Sequence, residues 1–328
     1  MRGDYMGAEG IGGNMALSQT APEPLNAAAP AHRTLLAAGL IVIYAMSIGY
    51  TDNYVQVIAQ EAGLWQFHAV RSSITAVIFA LLFVPLGLRL RPVNWRGVAG
   101  RSLLHGCSML FYFGCLGFMS VAEVAAGLFT SPIFVLLISR FVYGHPIGPF
   151  RILAVALGFA GAILVLGPGD GASLSPVLVL PVIGGVFYAM GNIATREWCA
   201  NETAETLLAG FFLTMGLLGL LGMGVLAIWQ PEVPLGADGF TLRGFVWPSG
   251  DFYFWTLVQA AGSLFGVGMM IKAYQVADAS RVAVFEYVIL PASAFWAFVL
   301  WDEVLSGRAM LGIAMIFAAG LIIALRGR

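Results

Sequence analysis

Charge is what this 328-residue chain has least of. Asp, Glu, Lys and Arg make up 10% of it against 59% hydrophobic residues, and the mean hydropathy is +0.88. So few polar side chains cannot cover a soluble globule, and the composition predicts an all-α integral membrane protein. The 16 basic and 17 acidic residues nearly cancel, to a net charge of −1, so there is no basic face for nucleic acid. Cysteine is also scarce: Cys107, Cys115 and Cys199 are odd in number and lie in or beside apolar segments, which argues for small core residues and against a disulfide framework. Enzyme signatures are missing. There is no His-Glu-x-x-His, no Gly-x-Ser-x-Gly, no phosphate-binding Gly-Lys loop and no metal-spaced cluster of carboxylates or cysteines, so neither catalysis nor a metal or other cofactor is expected. Residues 1–32 lack the charged start and apolar stretch of a signal peptide and read as a mobile cytoplasmic tail rich in Gly, Ala, Pro and Ser, with Met15 as an alternative start.

What the chain has in abundance is apolar runs. They cover 35–52, 65–87, 97–118, 122–143 and 150–167, then 175–195, 204–229, 252–275, 280–301 and 307–325. Each is near the ~20 residues that a helix needs to cross the hydrocarbon. Pro132, Pro181 and Pro291 do not veto helices, because neighbours in a bundle can satisfy the freed carbonyls. The glycines of the stretch Gly219 to Gly224 follow no strand and read as a helix-packing surface. The Pro- and Gly-rich stretch 230–250, with Trp247 near the interface, reads as a connector.

The chain repeats itself. Residues from Phe111 to Leu166 return about 158 or 159 residues later, placing Val124-Ala125 on Val282-Ala283, Pro132 on Pro291 and Gly161 on Gly320. Tyr44-Ala45-Met46 likewise returns as Tyr188-Ala189-Met190. This predicts ten transmembrane helices as two five-helix repeats, one over 33–168 and one over 169–328. An odd number of crossings per repeat inverts the second against the first, the architecture of alternating-access carriers with a site between the halves. With the N-terminus inside, only Arg71, Arg243 and Arg308 of the 16 basic residues fall outside, so both termini are expected in the cytoplasm of a multi-pass bacterial inner-membrane protein.

Polar side chains within such segments should face the bundle interior. Glu286 stands out: it lies five residues beyond Arg281, about 7.5 Å deeper along a helix, on a stripe with Ile289, Leu290, Ser293 and Ala297. It is either a carboxylate that takes a proton or a cationic cargo group during transport, or a structural partner of Lys272 or Arg281. Arg101 and His105 share a helix face, where His105 could relay protons, hydrogen-bond cargo or simply meet a backbone carbonyl. His68 and Arg71 are expected to meet Asp52 or lipid phosphates. Glu123 and Arg281 occupy equivalent places in the two copies but opposite ends of the membrane, as solvated helix starts or rim residues. Tyr44 and Tyr188, at matching places in the two halves, are placed across the cavity from each other. Ser47, Asn192, Gln259 and Ser263 supply hydrogen bonds, and Tyr112 and Ser293 complete an apolar lining with a few polar handles that suits a planar or aromatic cargo.

The passage from Ala122-Glu123-Val124-Ala125 to Pro132, and that from Ser280-Arg281-Val282-Ala283 through Pro291 to Asp302-Glu303, resemble the EamA-like group of the drug/metabolite transporter superfamily over about residues 35–325. The resemblance implies ten helices, a central cavity lined by the first, third and fourth helix of each half, and a small organic cargo such as an amino acid or other metabolite. It also implies a structural role for Arg71, and tight packing of the fourth and fifth helices through Gly158, Gly161, Gly312 and Gly320. The family's acid before the fifth helix stands as Glu303, whereas the first copy has Gly144-His145-Pro146, so no role needing both acids carries over. The function expected is secondary transport of an amino acid, nucleoside or flavin-like metabolite by alternating access, with protons as the candidate coupling ion at Glu286. A membrane-embedded enzyme or a lipid-handling protein is the alternative. The partners expected are the small-molecule substrate and the lipid bilayer, with a homodimer allowed for.

Overall fold

A chain this apolar must satisfy its backbone within each segment, and helices do so. The computed structural model describes residues 30–83, 90–115, 127–166, 179–302 and 306–326, with a few single positions between them. The tail up to residue 29, including Met15, and the acids Glu123 and Glu303 lie outside the described residues. The helices are α1 (Pro30–Asp52), α2 (Val55–Glu61), α3 (Leu64–Phe83), α4 (Trp95–Cys115), α5 (Ser131–Phe141) and α6 (Pro149–Leu166). They continue as α7 (Val179–Glu197), α8 (Ala204–Trp229), α9 (Gly250–Val276), α10 (Ala279–Phe285), α11 (Ile289–Trp301) and α12 (Gly307–Arg326). There is no strand among the described residues. Among the described residues, six helical runs, 32–61, 64–82, 204–229, 250–276, 279–300 and 307–326, are long and apolar enough to cross a membrane, and 131–141 and 149–165 are shorter apolar helices. Helices α4 and α7 fall outside this set because they carry polar residues, among them Arg101, His105, Asn192 and Thr195, into the interior.

The apolar segment 280–301 is not one continuous helix. It breaks at a 3-10 turn, Glu286–Val288, between α10 and α11. Pro291 accounts for the position: it has no N–H to give the carbonyl of Tyr287 four residues back, and its ring crowds that carbonyl. The break puts Glu286 at a place where the helix ladder is interrupted.

Helices α1 and α9 pack together, as do α4 and α7; α1 also packs on α11, and α5 on α7. The pairs α3 with α8 and α6 with α12 complete the bundle. Glycine sets the closest approaches. At the crossing of α6 and α12, a methyl on Gly161 would strike the carbonyl of Gly312, and the reverse also holds. Gly158 instead receives the ring of Tyr287, and Gly320 only loosely meets Phe285. Gly216, Gly219 and Gly222 of α8 lie on Ser72, Ala69 and Trp65 of α3, as a packing surface should.

One end of the bundle, the basal end, gathers the starts of α1, α4, α6 and α10 with the ends of α5, α7, α9 and α12. Asn94 reaches the carbonyl of Trp198 (3.3 Å), Arg151 reaches Ser280 (2.8 Å), and Arg326 lies over the Phe150 ring (5.8 Å). The other end carries α2 and residues 230–250, which are not a plain connector. Their 3-10 turn (Gly236–Gly239) and buried Phe240 sit on α2 and α3. Arg243 donates to the carbonyls of Ala59 (2.9 Å) and Ala62 (3.2 Å), Trp65 Nε1 donates to Thr241 O (2.9 Å), and the Gln66 amide pairs with Val246 in both directions (2.7 and 3.0 Å). Backbone carbonyls left over at a helix end, satisfied by one arginine, turn the loop into a folded cap. Trp247, 86% exposed, is at its edge.

Candidate functional site

The interior site is assembled by helical periodicity. Tyr44, Ile48 and Asp52 recur every fourth residue along α1; Arg101, His105, Met109 and Tyr112 line one face of α4; Gln259, Ser263, Val267 and Met270 line one face of α9. Tyr188 of α7, Arg71 of α3 and Glu286 at the helix break face the same cavity, whose volume is about 100 Å³.

Glu286 is 4% exposed. Tyr188 Oη donates to its Oε1 (3.2 Å), and Asn192 Nδ2 stands 3.5 Å from both carboxylate oxygens. Tyr188 Oη is also 3.3 Å from Tyr44 Oη and 3.1 Å from Met270 Sδ, and Asn192 Nδ2 bonds Tyr274 Oη (3.0 Å). All of these partners are neutral. Among the described residues no cation lies within ion-pair distance of Glu286. The alternative partners read from the sequence are engaged elsewhere or absent: Arg281 turns to Asp278 (3.2 Å) and Thr34 (3.2 Å), and Lys272 is exposed. Arg281 therefore belongs to a basal cluster and not to a solvated rim.

Toward the cap end, Arg71 Nη1 donates to Gln259 Oε1 (3.1 Å), Ser263 Oγ donates to the same oxygen (2.9 Å), and Gln259 Nε2 donates to Asp52 Oδ1 (3.1 Å). The Arg71 guanidinium lies over the rings of Phe67 (5.2 Å) and Phe212 (5.4 Å), a cation–π setting. Arg71 is thus joined to Asp52 through a glutamine and does not reach lipid phosphates. His68 does not reach Asp52 or phosphates either; it is buried with Phe67 and Phe113, centroids 5.1 and 5.2 Å away. Sequence spacing suggested the Asp52–Arg71 meeting but gave no sign that Gln259 would mediate it. Arg101, 1% exposed, donates to Thr195 Oγ1 (3.0 Å) and the Leu207 carbonyl (3.3 Å), and the His105 ring stands edge-on to Tyr188 at 5.5 Å.

Of the residues expected to line the site, Tyr44, His105, Tyr112, Tyr188, Gln259, Ser263 and Glu286 face the cavity. Asn192, fully buried, stands behind Glu286 as its hydrogen-bond donor. Two serines do not belong to the lining. Ser47 donates to the Gly262 carbonyl (2.9 Å) and ties α1 to α9, while Ser293 packs on Gly49 of α1. The Ser47 hydroxyl is thus spent on a main-chain carbonyl at a helix crossing. No group of three or more His, Cys, Asp or Glu is arranged for a metal among the described residues.

Residues 35–167 match the model of the EamA-like transporter family. An uncharacterized transporter of Helicobacter pylori is 25% identical over 297 residues, covering 89% of this chain and 95% of the relative. A riboflavin transporter of Rhizobium johnstonii is 28% identical over 269 residues, 80% of each. A solved crystal structure shares the fold, with a TM-score of 0.69 and 20% identity over 90% of this chain and 99% of the other. A multi-pass apolar bundle, an interior cavity of mainly apolar lining with a few polar side chains, and transporters as relatives agree on membrane embedding and a small-molecule substrate. Over residues 35–167 the chain is similar to the EamA-like transporter family, and the relatives matched along most of its length are transporters.

Proposed function

We propose that the protein is a secondary carrier of the bacterial inner membrane, moving a small planar or aromatic metabolite by alternating access, with Glu286 as the group that exchanges a proton or a cationic cargo group. The observation that carries this reading is the neutral company of Glu286. A buried carboxylate without a counter-cation is expensive, and the cost is relieved when a proton or a positively charged ligand arrives. Because relief comes from a mobile partner, occupancy of the site is coupled to the state of the carboxylate.

The bundle supports two inverted five-helix repeats, 33–168 and 169–328. Exchanging α1 for α7 and α4 for α9 turns the contact of α1 with α9 into that of α7 with α4, and exchanging α5 for α11 turns α1 with α11 into α7 with α5. The pairs α3 with α8 and α6 with α12 map onto themselves. Helix direction follows the same rule: α1 starts at the basal end where α7 finishes, and α6 starts where α12 finishes. Two such halves can rock about a central site. At about 100 Å³ the cavity is below the 300 Å³ or so of an ordinary small-molecule pocket, so a cargo of that size requires the halves to part. The tyrosine pair and the ring-bearing walls favour a flat cargo, and the relative named for riboflavin transport makes flavins the first compounds to try.

The test is uptake into vesicles carrying the purified protein, with riboflavin, nucleosides and aromatic amino acids offered across a proton gradient in each direction. Saturable transport of one class is expected, falling at least tenfold and losing its pH dependence in Glu286→Gln. If Glu286→Gln transports like the parent at every pH, the coupling role is wrong. If only lipids bind and nothing water-soluble moves, the carrier reading gives way to lipid handling.

A further inference from the structure

A second polar cavity, about 820 Å³, opens at the basal end, away from the Glu286 site. Its wall carries Arg33, Arg151 and Arg196 against two acids, Glu197 and Asp278. Asp278 sits where α9 gives way to α10 and is gripped by three arginines: Arg196 on Oδ1 (3.3 Å), and Arg151 (3.3 Å) and Arg281 (3.2 Å) on Oδ2. Each guanidinium has five N–H donors, and one carboxylate offers about four acceptor positions, so a single acid cannot satisfy three arginines. The remaining hydrogen bonds go to neutral oxygens, of Ser280 from Arg151 (2.8 Å), of Ala277 from Arg196 (2.9 Å) and of Thr34 from Arg281 (3.2 Å). Arg151, 7% exposed, keeps a buried Nε with no partner, while the Asp278 side chain is 43% exposed and so reachable from the cavity.

We infer that this basal vestibule is an oxyanion-binding site, in which a phosphate- or carboxylate-bearing ligand completes the arginine cluster that Asp278 satisfies only in part. The chemistry is that of guanidinium forks, which match two oxygens of one anion. Two sources share it: a soluble oxyanion, such as an anionic metabolite gathered at the entrance, and the phosphate of an anionic lipid reaching in from the bilayer. Asp278 acts as the resident competitor, so weakening it should strengthen the ligand.

Thermal unfolding of the full chain in nanodiscs tests this, with inorganic phosphate titrated against sodium chloride of equal ionic strength in phosphatidylcholine, and separately with phosphatidic acid mixed into the lipid. A ligand that binds only the folded protein raises its melting temperature saturably. Stabilisation by phosphate assigns a soluble oxyanion, and stabilisation by phosphatidic acid alone assigns a lipid. In either case Asp278→Asn should tighten the response and Arg196→Gln, whose side chain is one-third exposed and dispensable to the core, should weaken it about tenfold, the loss of one charge-assisted contact. Glu286→Gln should leave it unchanged, which keeps this site's fate separate from that of the carrier reading. The inference is overturned if neither probe exceeds chloride, or if Asp278→Asn and Arg196→Gln both respond like the parent.

Discussion

Tyr188 is the residue through which the interior site is connected, because one hydroxyl touches Glu286, Tyr44 and the Met270 sulfur. Replacing it by Phe keeps the ring, and with it the edge-on contact to His105, but removes a hydrogen bond to a carboxylate, worth about 1.5–3 kcal/mol. Transport by Tyr188→Phe should therefore fall about tenfold or more, with the melting temperature lowered by the same lost bond. Tyr44→Phe, which meets Glu286 only through Tyr188, should cost about threefold, the effect of a neutral hydrogen bond. Vesicle uptake of the same cargo by both variants checks the order, and a greater loss at Tyr44 would show that Tyr44 contacts cargo directly. This pair was legible in the sequence because the Tyr-Ala-Met triplet at 44–46 recurs at 188–190, and the two tyrosine hydroxyls meet at 3.3 Å. Ser47 and Ser293 were misread for the opposite reason, since a serine in an apolar helix looks the same whether it faces a cavity or a neighbouring backbone. Glu202 gave no warning at all: it lies between segments, yet it is buried and accepts the N–H groups of Val93 (3.0 Å) and Asn94 (2.5 Å), an anchor ahead of α4 that spacing alone cannot show.

At the scale of elements, apolar length was enough to locate most of the described helices, but not α2, nor how each one ends. The break at Glu286–Val288 could have been inferred from Pro291, had the rule that bundles tolerate proline been weighed against the lost bond to Tyr287. The folded cap over 230–250 depends on Arg243 and Gln66 finding carbonyl and amide partners about 180 residues away, a long-range match with no local signature. The crossing of α6 and α12 is a close backbone contact, with Gly161 and Gly312 set against each other's carbonyl. Gly312→Val adds a branched side chain there and should destabilise by about 1–3 kcal/mol through overpacking. Gly320→Ala, which meets only Phe285 at ordinary van der Waals distance, should be nearly neutral. Urea or thermal unfolding in one detergent compares the two, and equal effects would mean that the helices shift apart at little cost.

At the scale of the molecule, the two ends are chemically distinct, and this polarity predicts its orientation. The basal end has Arg33, Arg96, Arg140, Arg151, Arg196, Arg281 and Arg326 on or beside the helix termini. Of the arginines assigned to the opposite side, Arg71 is buried in the interior and Arg243 is spent on cap carbonyls, so the contrast between the two surfaces is sharper than the residue count suggested. Insertion retains basic segments in the cytoplasm, so the basal vestibule should face inward and the cap outward. Single cysteines placed in a variant lacking Cys107, Cys115 and Cys199 can read this in intact cells. Phe245→Cys, on the exposed cap, should react with a membrane-impermeant maleimide from outside, and Ala200→Cys, in the vestibule wall, only after the cells are opened. The reverse pattern would turn the molecule over and expose the arginine cluster to the external medium. With the expected pattern, the basal arginine cluster would face the cytoplasm with the Glu286 cavity between it and the cap, and a cargo with both a flat ring and an anionic group entering from inside would meet the arginines before the carboxylate.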